Sequence, residues 1–193
     1  MTKNVYTIGF LMYILIMIAF FITNIFFRNE NYYRNSIVLS SFLLPFVFAI
    51  GAFYSVFVYK KTKGKLSFGE AFGRAFLPMF IGGFLSISSM FVYINYINLP
   101  TKNVLNNQYI ESYKQALEEE YHKAKQIVKP HSPEMQELEK KYTEGKMRIQ
   151  KKEEKKEDMF TIYYFGYVFA GYTLFFIILS VFFGSFFRTK ANA

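Results

Sequence analysis

The chain has 193 residues, 52% hydrophobic and 21% aromatic and yet 19% charged, with a net charge of +9 and no cysteine. The missing thiols exclude disulfides, cysteine nucleophiles and cysteine-ligated metal or iron–sulfur centres. Thirteen Lys/Arg and twelve Asp/Glu between Pro100 and Asp158 almost cancel, while the other ten basic residues, against only Glu30 and Glu70, flank long apolar runs; that bias orients membrane proteins and suits anionic head groups, so no nucleic-acid partner is expected.

Val5 to Phe27 is the first apolar run, preceded by Lys3 and followed by Arg28. As a helix it is about 34 Å long, enough for a hydrocarbon core of about 30 Å. A cleavable signal peptide would have a shorter apolar region ending in a small-residue site, and Thr23-Asn24-Ile25-Phe26-Phe27 offers none. The reading is an uncleaved first span.

The second run, Ser36 to Tyr59, contains Pro45, which is expected to kink the helix or open its hydrogen-bond ladder locally. Then come Lys60, Lys61, Lys63 and Lys65, four lysines in six positions between apolar runs. They place this turn, 60-66, in the cytoplasm.

Ser67 followed by Glu70 is a capping box that starts a third helix running toward Leu99 and Pro100. Such a helix is longer than the hydrocarbon core, so a bend at Pro78 is expected to lay Phe68 to Phe76 along the cytoplasmic interface. Gly69 and Gly73 form a GxxxG expected to pack closely against another helix. Glu70 and Arg74, four apart, are expected to pair; a gate at the cytoplasmic mouth is the functional alternative to a cap and interfacial pair. Ser67, Gly69, Glu70, Gly73 and Arg74 are therefore the candidate functional or packing residues.

From Pro100 to Asp158 the sequence is charged and helix-forming. Leu105, Tyr109, Tyr113, Leu117, Tyr121, Ala124 and Val128 recur every three or four residues, a helical stripe. Lys129-Pro130-His131-Ser132-Pro133 interrupts it, and Ser132 before Pro133 restarts a helix carrying Met135, Leu138, Tyr142 and Ile149 on one side. Glu119/Lys123, Glu137/Lys141 and Glu144/Arg148 are spaced for intrahelical pairs. The expectation is a coiled-coil-like helical hairpin standing off the membrane. His122 and His131 are the only histidines; with Glu118 one turn away, His122 still falls short of the three or four ligands that zinc needs, so no metal and no cofactor is expected.

Met159 to Phe187 is the fourth run, closed by Arg188 and Lys190. Nothing in the sequence separates it from the second hairpin helix before Gly166, so the two could be continuous. Gly166 and Ala170 offer a further small-residue face.

With four spans, Lys3, the lysine turn and Arg188/Lys190 share one side, and Tyr32/Tyr33, Tyr93/Tyr96 and Tyr163/Tyr164/Tyr167 lie near the other boundary. Basic residues inside and aromatics at the interface fit membrane physics. The resulting expectation is an all-α polytopic inner-membrane protein with both termini cytoplasmic: residues 1-99 as three spans, 100-158 as an extracytoplasmic hairpin, and 159-193 as the fourth span and tail.

Asp, Glu, Lys, Arg and His are absent from Val5–Phe27, Ser36–Tyr59, Phe76–Leu99 and Met159–Phe187. Proton relays and intramembrane hydrolases need such groups, which argues against an ion-coupled pump and against an enzyme. Asn24, Ser86, Ser88, Ser89, Asn95 and Asn98 could line a polar path, although interhelical hydrogen bonding accounts for them more simply.

The order of features, with Leu66-Ser67-Phe68-Gly69-Glu70-Ala71-Phe72-Gly73 after the lysines, resembles the bacterial membrane family called domain of unknown function 4199. The resemblance implies the four-span topology and a bacterial origin, and supplies no activity, substrate or catalytic residue. The functional expectation is a non-enzymatic scaffold associating through 104-150 with a copy of itself or an envelope partner, besides the lipid bilayer. The alternative is a small transporter or channel subunit with a path beside the third helix.

Overall fold

The computed structural model describes residues 4–189, and Lys3 and Lys190, expected on one side with the lysine turn, lie outside them. The described residues are helical, with no strand. The chain divides into two units, Met1–Leu99 with Phe160–Ala193, and Pro100–Met159. In the first unit lie α1 (Val5–Phe26), α2 (Tyr32–Lys63), α3 (Phe68–Ile97) and α6 (Ile162–Phe187). All four are long and apolar enough to cross a membrane, as expected from the apolar runs. In the second unit are α4 (Leu99–Ile127) and α5 (Pro133–Glu154).

Helix α3 is the hub of the first unit, touching α1, α2 and α6. Small side chains make this possible. A Cβ on Gly82 would come 2.9 Å from the carbonyl oxygen of Gly9, and one on Gly9 would come 2.9 Å from the carbonyl oxygen of Pro78, so α1 and α3 cross backbone to backbone. Gly83 meets the ring of Phe176, 2.8 Å from where its Cβ would stand. Ala71, Ala75 and Met79 are fully buried with Ile16, Ala52, Val56 and Phe176. Phe48 and Phe176 pack edge to face at 4.7 Å between centroids.

Two expectations are corrected here. Gly69 and Gly73 have open space where a side chain would stand, as does Gly166, so neither small-residue pair makes a close helix contact in this chain. Phe68 to Phe76 does not form a separate interfacial segment either. The helix is continuous through Pro78, and Ala71 and Ala75 bury its first turns in the bundle.

Pro45 opens the ladder of α2 as expected, through a π-helical turn at Leu39–Leu43. The Leu44 N–H donates to the carbonyl of Leu39, and Pro45 has no N–H, so the carbonyl of Ser40 lacks a backbone donor. The hydroxyl of Tyr172 on α6 donates to it. An unmet carbonyl in apolar surroundings is costly, so the proline and this tyrosine are coupled across two helices.

A polar cluster joins the other ends of α1, α2 and α3. The Asn24 amide donates to the Tyr32 hydroxyl at 2.9 Å, the Tyr93 hydroxyl to Asn24 at 3.3 Å, and the Asn98 amide to Tyr93 at 2.9 Å. Asn24 thus serves interhelical bonding, the simpler of the two expected roles, while Asn98 bonds to Tyr93 of the helix it follows.

Two measurements test this packing. Gly82→Ala should lower thermal stability in detergent by about 1–3 kcal/mol through the backbone clash, whereas Gly69→Ala and Gly73→Ala should be neutral or stabilise by up to about 1 kcal/mol. Tyr172→Phe should cost about 1–3 kcal/mol by leaving the Ser40 carbonyl unpaired. In a Pro45→Ala background, where residue 45 regains an N–H, that cost should shrink, and an additive double variant would refute the coupling.

Candidate functional site

Two places carry concentrations of polar chemistry, one in each unit. The first is the lysine turn. Helix α2 runs through Lys60, Lys61 and Lys63, cations that suit the negative end of the helix dipole, and Gly64 ends it at φ 82°, where a Cβ would be strained. Leu66 then turns inward and is buried, and Ser67 begins α3. The capping box is complete: the Glu70 N–H donates to the Ser67 hydroxyl at 3.3 Å, and the Ser67 N–H to Glu70 Oε2 at 3.0 Å.

The expected Glu70–Arg74 pair is corrected in its partner. Glu70 receives the ammonium of Lys63 across the turn, and the Arg74 guanidinium lies over the Tyr59 ring at 3.8 Å. Sequence reasoning missed two further interactions. The Leu66 N–H donates to Thr189 Oγ1 at 3.1 Å while the Thr189 N–H donates to the Leu66 carbonyl at 2.8 Å, a two-bond strap between the turn and the end of α6. Lys60 Nζ stands 5.4 Å over the ring of Phe187. No spacing rule joins residues more than a hundred positions apart. Thus Ser67, Glu70 and Arg74 are gathered at one end of the bundle, whereas Gly69 and Gly73 contribute no close contact.

The second place is the helical hairpin. Its two apolar stripes face each other: Leu105, Met135 and Ile149 are buried, Tyr121 and Tyr142 stack at 4.1 Å, and Leu117 seats against Gly145, 2.9 Å from where a Cβ would stand. Ser132 caps α5 through the Met135 N–H at 3.2 Å, and Lys114 reaches Glu153 at 2.6 Å across the hairpin. That carboxylate, through its hydrogen bond, raises the Lys114 ammonium above its usual value. Glu119/Lys123, Glu137/Lys141 and Glu144/Arg148 all pair as expected, at 3.1, 2.8 and 3.8 Å.

Helices α5 and α6 are not continuous, which corrects the other reading of that junction. Helix α5 ends at Glu154, Lys156 turns at φ 46°, and Thr161 caps α6. Asn106 of α4 holds the exit, donating to Asp158 at 3.2 Å and accepting from the Met159 N–H at 2.9 Å, while Lys102 pairs with Asp158 at 2.5 Å.

The helices of the hairpin do not close along their whole length. A cleft of about 470 Å³ remains between them, with Tyr109, Ile110, Tyr113 and Leu117 on one wall and Lys141, Glu144, Gly145, Arg148, Ile149 and Lys152 on the other. Burial, and the nearby Tyr113 and Glu157, raise the phenol of Tyr109 above its ordinary range, so it stays a neutral donor at physiological pH. One wall offers aromatic faces and the other cations. His122 lies elsewhere on α4, in a shallow groove with Glu118 and Glu119, and no group of three or more His, Cys, Asp or Glu among the described residues could hold a metal ion.

The fold is thus that of a multi-pass membrane protein, four apolar helices joined to a charged helical hairpin. Residues 7–189 match the family described as Protein of unknown function (DUF4199), and the chain belongs to that family, as its resemblance implied. No curated protein and no solved structure matches the chain.

Spin labels offer a direct test of the closed hairpin, because the chain has no native cysteine to compete with introduced ones. Labels at Gln115 and Gln150 should give one narrow distance distribution, broadened by Tyr142→Ala as the stack is lost. A distribution that the substitution leaves unchanged would refute a role for the Tyr121/Tyr142 stack in closing the hairpin.

Proposed function

We propose that this chain is a non-enzymatic interaction protein of the bacterial inner membrane, with both termini cytoplasmic, whose extracytoplasmic hairpin recognises an envelope partner. The cleft between α4 and α5 carries the reading. Its volume lies in the range of specific binding sites, and it combines tyrosines with an arginine, the residue types that dominate interface energetics. The stripe that would otherwise serve self-association is largely spent on closing the hairpin, which favours a foreign segment over a second copy. The absence of ionisable residues from the span interiors supports a non-enzymatic role.

Orientation is tested first, by a reporter fusion at His131, which should be active only in the form that reads the periplasm. For recognition, a photo-reactive phenylalanine analogue replacing Tyr113, a residue 59% exposed, should form a discrete adduct in native membranes. Arg148→Ala should weaken it at least several-fold, and the same analogue at the exposed Gln136 should not form it. Adducts indistinguishable between the two positions would overturn the proposal.

A further inference from the structure

A second binding surface is carried by the strapped end of the bundle, independently of the hairpin. Glu70 is the only acid between Ser36 and Leu99, and none follows Asp158, whereas Lys60, Lys61, Lys63, Lys65, Arg74 and Arg188 all belong to this end. Glu70 is committed to Lys63 and Ser67. Lys61, Lys65 and Arg188 are exposed and make no ion pair among the described residues. Lys65 and Arg188 are the chain neighbours of Leu66 and Thr189, so the reciprocal hydrogen bonds of the strap tie together the two segments that carry them. With Leu66 buried beneath, these cations sit on a fixed frame rather than on a loose tail.

The capping box also decides which groups meet an anion. The Glu70 carboxylate and the Ser67 hydroxyl take up the Ser67 and Glu70 N–H groups, and the carboxylate brings negative charge to the start of α3, so an anion gains less there than at an open helix N-terminus. The stronger attraction comes from the cationic side chains. They stand at the ends of three helices apolar enough to cross a membrane, the depth at which lipid phosphates lie. Lys60 over Phe187 and Arg74 over Tyr59 mark the same boundary, with cationic heads resting on aromatic rings. We propose that this end binds the phosphate of anionic phospholipid head groups through Lys61, Lys65 and Arg188.

The test uses the full chain purified in detergent and offered short-chain phosphatidylglycerol, phosphatidylcholine or inorganic phosphate, with bound molecules counted by native mass spectrometry. The wild-type chain should retain phosphatidylglycerol over phosphatidylcholine. The variant Lys61→Gln/Lys65→Gln/Arg188→Gln should lose about fivefold in affinity for each charge removed. Lys114→Gln/Lys125→Gln/Lys129→Gln lowers the net charge equally on the hairpin and should leave retention unchanged. Equal losses in the two triple variants would overturn the site in favour of a diffuse charge effect. Inorganic phosphate that displaces the lipid at equal concentration would overturn the lipid as its source.

Discussion

The backbone crossing of α1 and α3 at Gly9 and Gly82 is the constraint on which the rest of the bundle depends. At that point α3 presents no side chain to α1, and one residue later Gly83 presents none to the ring of Phe176 on α6. One helix can therefore be approached closely on two faces. In a membrane, where lipid tails are as apolar as leucine, such packing replaces the hydrophobic effect as the force between helices. The large side chains of the neighbours then fill what remains, as Phe48 does against Phe176 and Met12 does beside Gly51. A bulky residue at 82 would push α1 away and open the core from Ile8 to Ile16.

Hydrogen bonding imposes the second constraint. Pro45 and the π-helical turn before it leave the Ser40 carbonyl without a backbone donor, and Tyr172 reaches it from another helix. The Thr189–Leu66 strap does the same for chain ends at the basic turn. In both places a departure from regular helix becomes a specific bond between segments distant in sequence. Irregular backbone here fixes which helices are neighbours, something apolar surface alone specifies poorly.

The helices were readable in the sequence because length and hydropathy report directly on what a helix must span. Local signals were equally legible: Ser67 with Glu70, Ser132 before Pro133, and the three pairs within hairpin helices all form as their spacing indicates. What spacing does not encode is the partner across space. Gly69 and Gly73 satisfy a packing motif and have open space where a side chain would stand, while Gly9 and Gly82, on different helices, belong to no motif and bring two backbones together. Glu70 likewise had a partner available four residues on and is instead held by Lys63 across the turn. The break between α5 and α6 carried no glycine or proline at the turn itself. It is made by Lys156 in a conformation that favours glycine and by an asparagine some fifty residues earlier, Asn106.

The two units differ in how they are held together, and that difference bears on function. The bundle owes its order to backbone contact, fully buried side chains and cross-helix hydrogen bonds, so rearrangement there would expose polar groups at high cost. The hairpin is closed by a tyrosine stack, a few apolar contacts and half-exposed ion pairs, and it retains a cleft between its helices. Exposed pairs of this kind contribute little each, so widening or narrowing the cleft costs far less than moving a span. A surface that must adapt to a partner belongs on the less tightly bound element. By the same reasoning, charges that select a head group belong on the rigid one, because cations already held by the strap and the buried Leu66 lose little freedom when an anion arrives.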